Sequence, residues 1–328
     1  MSVKVSVVMS VYAEPVEWIE EAISSILNQT FNDFEFILVN DNPKREDNIK
    51  LLNSYKSIDS RVVIVENDEN IGLTKSLNKA IEISKGKYIA RMDADDISLP
   101  TRFEKQVEFL EKNRSYIVCG TDIQFFGENK LSFPSGMIRF RDKEIKAQLI
   151  RNTCFAHPTV MFRKQLLLEK GIRYDEDFIQ AQDYKLWCDL SDFGKYQNIN
   201  EVLLNYRVNS QQVSKKSGKL QNKNGNEIRK RHMSKFLSLE TIKELSSEDA
   251  NIKTLFKVKK ELKEKSIPRL FADNVLFVSY LSIKNKTIII LLYYFFSLDF
   301  LKYISNVSDV LRVVESSLFP NRKPKRIQ

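Results

Sequence analysis

Hydrophobic and polar positions along the first hundred residues switch repeatedly between two periods. Residues 3–12 (VKVSVVMSVY) form a β-branched, nearly continuous apolar run, the pattern of a strand covered on both faces. Residues 17–28 then place Trp18, Ile19, Ala22, Ile23, Ile26 and Leu27 at helical spacing, with Pro15 near the start. The alternation continues with a strand at 34–39 (FEFILV), a helix at 49–55 and a strand at 61–66 (RVVIVE). A helix at 73–84, ended by Gly86, precedes a fourth strand at 88–92 (YIARM). Strands alternating with helices predict an α/β fold with a mostly parallel sheet flanked by helices. Further on, the pattern predicts a helix at 102–112, an extended segment at 116–126, a helix at 183–192 and a strand at 201–206. From about residue 214, Lys/Asn-rich sequence gives way to Leu/Phe-rich helical segments. Two regions are therefore expected: an α/β domain over 1–213 and a mainly helical region over 214–328.

Composition adds limits. The 328 residues are 42% hydrophobic and 29% charged, which is the balance of a folded globular chain. Cys119, Cys154 and Cys188 are far apart and lack metal-ligand spacing, which points to buried thiols in a reducing, cytoplasmic compartment. Residues 1–4 run straight into the first strand, without the basic region and apolar run of a signal peptide. The net charge of +9 is concentrated after residue 214, at Lys215, Lys216, Arg229-Lys230-Arg231 and the tail Arg322-Lys323-Pro324-Lys325-Arg326. Those clusters lack the interleaved aromatic residues of a nucleic-acid surface, so no nucleic-acid partner is expected.

Ligands of parallel α/β sheets bind outside the carboxyl ends of the strands. Asp41 and the run Asp93-Ala94-Asp95-Asp96 both follow directly on a strand. Three carboxylates in four residues repel one another, and a divalent metal on a diphosphate offsets that charge with hard oxygen ligands. A turn or a helix N-cap is the competing explanation, since aspartate is favoured in both. The same alternatives stand for Asp41, which precedes Pro43 closely enough to form an Asx-turn. Asp183 likewise reads either as a general base or as an N-cap before Tyr184, Leu186, Trp187 and Leu190.

Three stretches in order carry a family resemblance: VSVVMSVYAEPVEWIEEAISSILNQTFNDFEFILVND, ENIGLTKSLNKAIEISKGKYIARMDADDISLPTRFEKQVEFL and AQDYKLWCDL. They resemble the successive motifs of family 2 glycosyltransferases of the GT-A fold, over roughly residues 1–210. The resemblance implies a Rossmann-like domain and an inverting, metal-dependent transfer of a sugar from a nucleotide diphosphate sugar, usually a UDP-sugar, with Mn²⁺ or Mg²⁺ as cofactor. By position, Ser10 and Tyr12 would meet the nucleoside, Asp41 the base, Asn70 and Asn78 the donor, and Asp93 the ribose. Asp95 would hold the metal, Asp183 would be the catalytic base and Arg207 would help neutralise the diphosphate. His157 would line the acceptor side. The chain departs from the family where Ser10 replaces proline, Leu77 replaces arginine (with Lys75 nearby), Gln182 replaces glutamate and Asn209 stands near a histidine position.

The acceptor implied is a glycan or a lipid-linked glycan of cell-surface polysaccharide synthesis, such as capsule or O-antigen. Residues 287–298 (TIIILLYYFFSL) are too few to span a bilayer, which needs about twenty apolar residues. They are expected to pack in a core or to lie peripherally at the inner face of the membrane. The helical region is also a candidate for homo-oligomer contacts. Two other functions compete. A sugar nucleotidyltransferase would need a Gly/Arg-rich loop after the first strand, which Ser10-Val11-Tyr12-Ala13-Glu14-Pro15 does not supply. A degenerate, non-catalytic relative would be consistent with Gln182 and Leu77.

Overall fold

The computed structural model describes residues 3–127, 141–209 and 218–283. The elements run β1 (Val5–Val11), α1 (Val16–Leu27), β2 (Phe34–Asn40), α2 (Glu46–Ile58), β3 (Val62–Glu66), α3 (Leu73–Ile83) and β4 (Tyr88–Arg91). Then follow β5 (Ile97–Ser98), α4 (Arg102–Lys112), β6 (Tyr116–Gly127), α5 (Asp142–Leu149), β7 (Met161–Arg163), α6 (Lys164–Lys170), α7 (Gln182–Leu190) and β8 (Lys195–Val208). The eight strands form one sheet in the order β3-β2-β1-β4-β7-β6-β8-β5. Strands β1 to β4 are mutually parallel and β6 runs parallel to β8, while β7 and β5 are the antiparallel members. The α/β fold with a mostly parallel sheet is thus as expected.

The continuous apolar runs of β1 and β2 follow from helices on both faces: every residue of β2 is buried, and only Ser10 of β1 is partly open. Helix α1 buries Ile19, Ala22, Ile23 and Ile26 at helical spacing against this sheet. Two glycines are required where they stand. Gly72, before α3, has φ of +84°, a conformation in which glycine carries no Cβ penalty. At Gly86 a Cβ would collide with the backbone of Ser6 on β1. Beside it, Ser6 Oγ donates to Glu35 at 2.6 Å, and the same Glu35 oxygen accepts the Lys85 N–H at 2.6 Å, closing the turn into β4.

After β8 come α8 (Gly218–Met233), α9 (Leu239–Ser246), α10 (Ile252–Glu264) and α11 (Arg269–Ser282). Among the described residues the chain divides into two compact units that change over between Asn226 and Glu227, with Ala147–Asn152 belonging to the second. The expected boundary near 213 lies among residues outside those described. The composition changes there, whereas the packing changes only midway through α8. In the second unit Met233, Leu237, Leu245, Val258, Leu262 and Val275 form a core of their own. Two of its helices start on side-chain caps: Ser238 accepts the Thr241 N–H before α9, and Asn251 forms a capping box with Thr254 at α10. No helix among the described residues is long and apolar enough to cross a membrane, and residues 287–298 lie outside them.

Candidate active site

Because β1 to β4 are parallel, their carboxyl ends share one edge of the sheet, and the chain leaving each strand contributes to that edge. After β1, the Tyr12 carbonyl accepts from Asn48 Nδ2 at 2.9 Å and its N–H donates to Glu14 Oε2 at 2.8 Å, leaving the ring 46% exposed. After β2, the buried Asp41 carboxylate accepts three bonds: Oδ1 from Asn67 Nδ2 and the Ile71 N–H, both at 2.9 Å, and Oδ2 from the Gly72 N–H at 3.0 Å. Asp41 therefore organises the loop that starts α3, and Oδ2 keeps lone-pair capacity for one more donor. Instead of an Asx-turn by Asp41, the neighbouring Asn40 Oδ1 accepts the Asn42 N–H at 3.2 Å.

After β4 the acidic run surrounds Arg91. Asp93, Asp95 and Asp96 each bring one oxygen within 4.8 Å of the others. Arg91, the last residue of β4, is buried and forms an ion pair with Asp93 through Nη2, while its Nε and Nη1 have no partner. Burial opposes its charge, but Asp93 more than compensates and holds the guanidinium above its ordinary pKa. Burial, then repulsion by Asp93 and Glu14, pushes Asp95 up to about 7. Burial, then repulsion by Asp93 and Asp95, also raises the fully buried Asp96 well above its ordinary value. Burial likewise raises Glu14, with Asp93 adding to it against the Tyr12 N–H.

Strand β8 braces this run. The Arg207 N–H donates to Asp96 Oδ1 at 2.8 Å and its Nε to the Asp95 carbonyl at 2.7 Å. Its Nη2 pairs with Glu21 of α1, and the guanidinium stacks over Trp18 at 4.8 Å and Phe126 at 4.4 Å. Asn209 Nδ2 reaches Asp95 Oδ2 at 3.5 Å. The buried, raised carboxylates and the orphaned Asp96 Oδ2 form a hard-oxygen donor set lacking enough positive charge, which fits a Mg²⁺ or Mn²⁺ ion.

A second cluster lies within reach of the same Arg91 charge, which acts on Asp183, His157 and Tyr174 as well as on the acidic run. Asp183 sits in the first turn of α7, where Oδ2 accepts from Thr153 Oγ1 at 3.1 Å. Burial raises its pKa, and the Tyr184 N–H, Thr153 and Arg91 pull it back. Gln182 beside it brings no second charge. His157 Nε2 is 2.7 Å from the Tyr174 hydroxyl and packs edge-on to Trp187; burial, then Arg91, keeps it well below its ordinary pKa and so neutral.

The remaining expected positions are more dispersed. Ser10 lies on β1 opposite Val39, and Asn70 is exposed in the loop before Gly72. Lys75 is exposed and Leu77 fully buried, so neither side chain meets the acidic run among the described contacts. Asn78 pairs with the backbone of Tyr174. Residues that motif order does not single out are Arg91, Asn67, Tyr174 and Glu14. The one visible signal was a charged residue inside the apolar strand YIARM.

Comparison with known proteins agrees with this architecture. Residues 6–171 match the family described as Glycosyl transferase family 2. The chain is 40% identical over 210 residues to an uncharacterised glycosyltransferase, MJ1057, of Methanocaldococcus jannaschii, covering 62% of this chain and 70% of that protein. It is 36% identical over 220 residues to the O-antigen biosynthesis glycosyltransferase WbnJ of Escherichia coli, covering 64% and 82% respectively. The crystal structure of S. aureus TarS 1-349 in complex with UDP shares the fold at a TM-score of 0.54 and 17% identity, over 84% of this chain and 90% of that one. The chain belongs to glycosyltransferase family 2 and adopts its GT-A fold.

Proposed function

We propose that this protein is an inverting glycosyltransferase that moves a sugar from a UDP-sugar to a hydroxyl of a glycan or lipid-linked glycan, in the synthesis of a cell-surface polysaccharide. The observation that carries this reading is the arrangement around Arg91, whose charge reaches both the acidic run and the Asp183 carboxylate. Family membership supports the reaction class, the O-antigen role of WbnJ supports the product class, and UDP in TarS supports the donor.

On this reading the nucleoside lies against Ser10 and Tyr12. Its base donates to the remaining lone pair of Asp41, Asn70 borders it, and the ribose meets Asp93. Asp95 would hold Mn²⁺ or Mg²⁺ with Asp93 and Asp96 beside it; when bound, the cation supplies positive charge to the diphosphate. Arg207 holds the Asp95 loop and adds positive charge near the phosphates. Asp183 takes the proton of the acceptor hydroxyl as that oxygen bonds to the anomeric carbon. The bond from that carbon to the diphosphate oxygen breaks, and its electron pair leaves with UDP. A well-placed general base contributes about 10²–10⁴-fold to such a step. Burial raises the Asp183 pKa toward the operating range, and Thr153 orients its Oδ2.

A panel of UDP- and GDP-sugars tests this reading by thermal stabilisation and hydrolysis with Mn²⁺ or Mg²⁺. Metal-dependent stabilisation by UDP-sugars is expected; none with any nucleotide sugar would overturn it. A lipid-linked acceptor would place the protein on the cytoplasmic face of the membrane. Co-flotation with anionic vesicles would support that location, and a wholly unbound protein would contradict it.

A further inference from the structure

We infer that Asn78 is a positioning residue: it seats the segment 174–181 that presents Asp183 and makes no contact with the donor. The inference rests on the proposed role of Asp183 as base. Asn78 Nδ2 donates to the Tyr174 carbonyl at 2.9 Å, and Asn78 Oδ1 accepts the Tyr174 N–H at 3.1 Å. This reciprocal pair imitates one rung of a β-ladder between a helix side chain and a loop backbone. Nδ2 also reaches Glu176 Oε1 at 3.3 Å, so both amide hydrogens are committed and the side chain has no donor left for a ligand.

What the bracket holds is the mount of the proposed base. Tyr174 is fully buried and its hydroxyl meets His157 Nε2 at 2.7 Å. Beyond it the segment folds on itself, with the Phe178 N–H on the Asp175 carbonyl at 3.2 Å and the Ala181 N–H on the Phe178 carbonyl at 2.9 Å. At its far end Gln180 is forced to φ of +67°, an uncommon conformation for a residue with a Cβ, which persists only where the surroundings impose it. The preceding Ile179 carbonyl accepts from Asn224 Nδ2 at 2.9 Å. Two asparagine amides thus fix both ends of the segment, and two residues after Gln180, α7 begins.

Asn78 also ties this mount to the opposite side of the site. It lies on α3, whose N-cap Gly72 donates its N–H to Asp41, as does Ile71 just before it. The six residues from Gly72 to Asn78 span about 9 Å of helix at 1.5 Å per residue. One short helix therefore sets the distance between the proposed base-binding carboxylate and the proposed catalytic carboxylate. A misplacement of about 1 Å at a reacting group can lower turnover by about 10²-fold.

The test compares the full chain with Asn78→Ala and with Asn78→Asp, which keeps an acceptor for the Tyr174 N–H but loses the donor. Three quantities are read: Mn²⁺-dependent UDP affinity by calorimetry, kcat and KM for the panel of UDP-sugars with water as acceptor, and hydrogen exchange of residues 174–181. UDP affinity and donor KM should stay within about twofold while kcat falls about 10- to 100-fold and exchange in 174–181 accelerates. Weaker UDP binding with unchanged kcat and unchanged exchange would overturn the inference. Should the alanine variant fail to fold, the aspartate variant decides by the same criteria. Asp183→Asn is measured in parallel: wild-type turnover there would sink the base assignment alone, because loop exchange and UDP affinity judge Asn78 without it.

Discussion

Arg91 donates to Asp93 at the end of β4 while its own Nε and Nη1 stay buried without an acceptor. A cation kept in the core at that cost is explained by the three clustered carboxylates beside it. Replacing Arg91 with methionine should destabilise the metal-free protein by about 1–3 kcal/mol, because an uncompensated buried charge outweighs the lost orphan donors. Arg91→Lys should be intermediate, since it keeps the charge and loses the planar fork. Denaturant unfolding with and without Mn²⁺ checks this, with Mn²⁺ recovering part of the loss.

The raised carboxylates make stability depend on pH in a defined direction. Asp95 titrates near 3.8 when unfolded and at about 7 when folded, so between those values the folded state holds a proton that the unfolded state has lost. Stability of the metal-free protein should therefore be highest below about pH 4 as far as this group is concerned, fall as pH rises to about 7, and level off above. Divalent metal requires the deprotonated form, so the gain in Tm on adding Mn²⁺ should be larger at pH 7.5 than at pH 5.5. Thermal melts across that range measure both trends.

Asp41→Asn removes one acceptor oxygen from a site that satisfies three N–H groups. The new amide NH₂ must face a backbone donor, at a cost of about 1–3 kcal/mol. Equilibrium unfolding should report that loss, together with faster hydrogen exchange at Ile71 and Gly72.

Thr153→Val deletes the hydroxyl that donates to Asp183 and helps hold its pKa down. The acidic limb of the pH–rate profile should move to higher pH, with donor KM unchanged. A profile that does not move would remove Thr153 from the account.

The alternation of β1 to β4 with α1 to α3 was legible because strands covered on both faces must be apolar throughout, and amphipathic helices must repeat at 3.6. Strand β8 begins at Lys195 rather than the expected 201, since its polar first half (KYQNIN) is held by pairing with β6 and not by propensity. Strand β7, with three residues, is too short to show a period. The acidic run and Asp183 stood out because their chemistry is written in adjacent letters. Asn67 and Tyr174 did not, because what they do depends on partners far along the chain, and Arg91 showed only as a charge within an apolar strand. Asn78 finds its partner 96 residues away, and no local pattern announces that.

The central claim divides the site into donor binding at Asp95 and chemistry at Asp183, and one paired measurement addresses it. Asp183→Asn and Asp95→Ala are each assayed for Mn²⁺-dependent UDP binding and for turnover of the active UDP-sugar. The account predicts that Asp183→Asn binds UDP as the wild type does and loses about 10²–10⁴-fold in kcat, whereas Asp95→Ala loses metal-dependent binding. Wild-type turnover by Asp183→Asn, or undiminished Mn²⁺-dependent binding by Asp95→Ala, would contradict it.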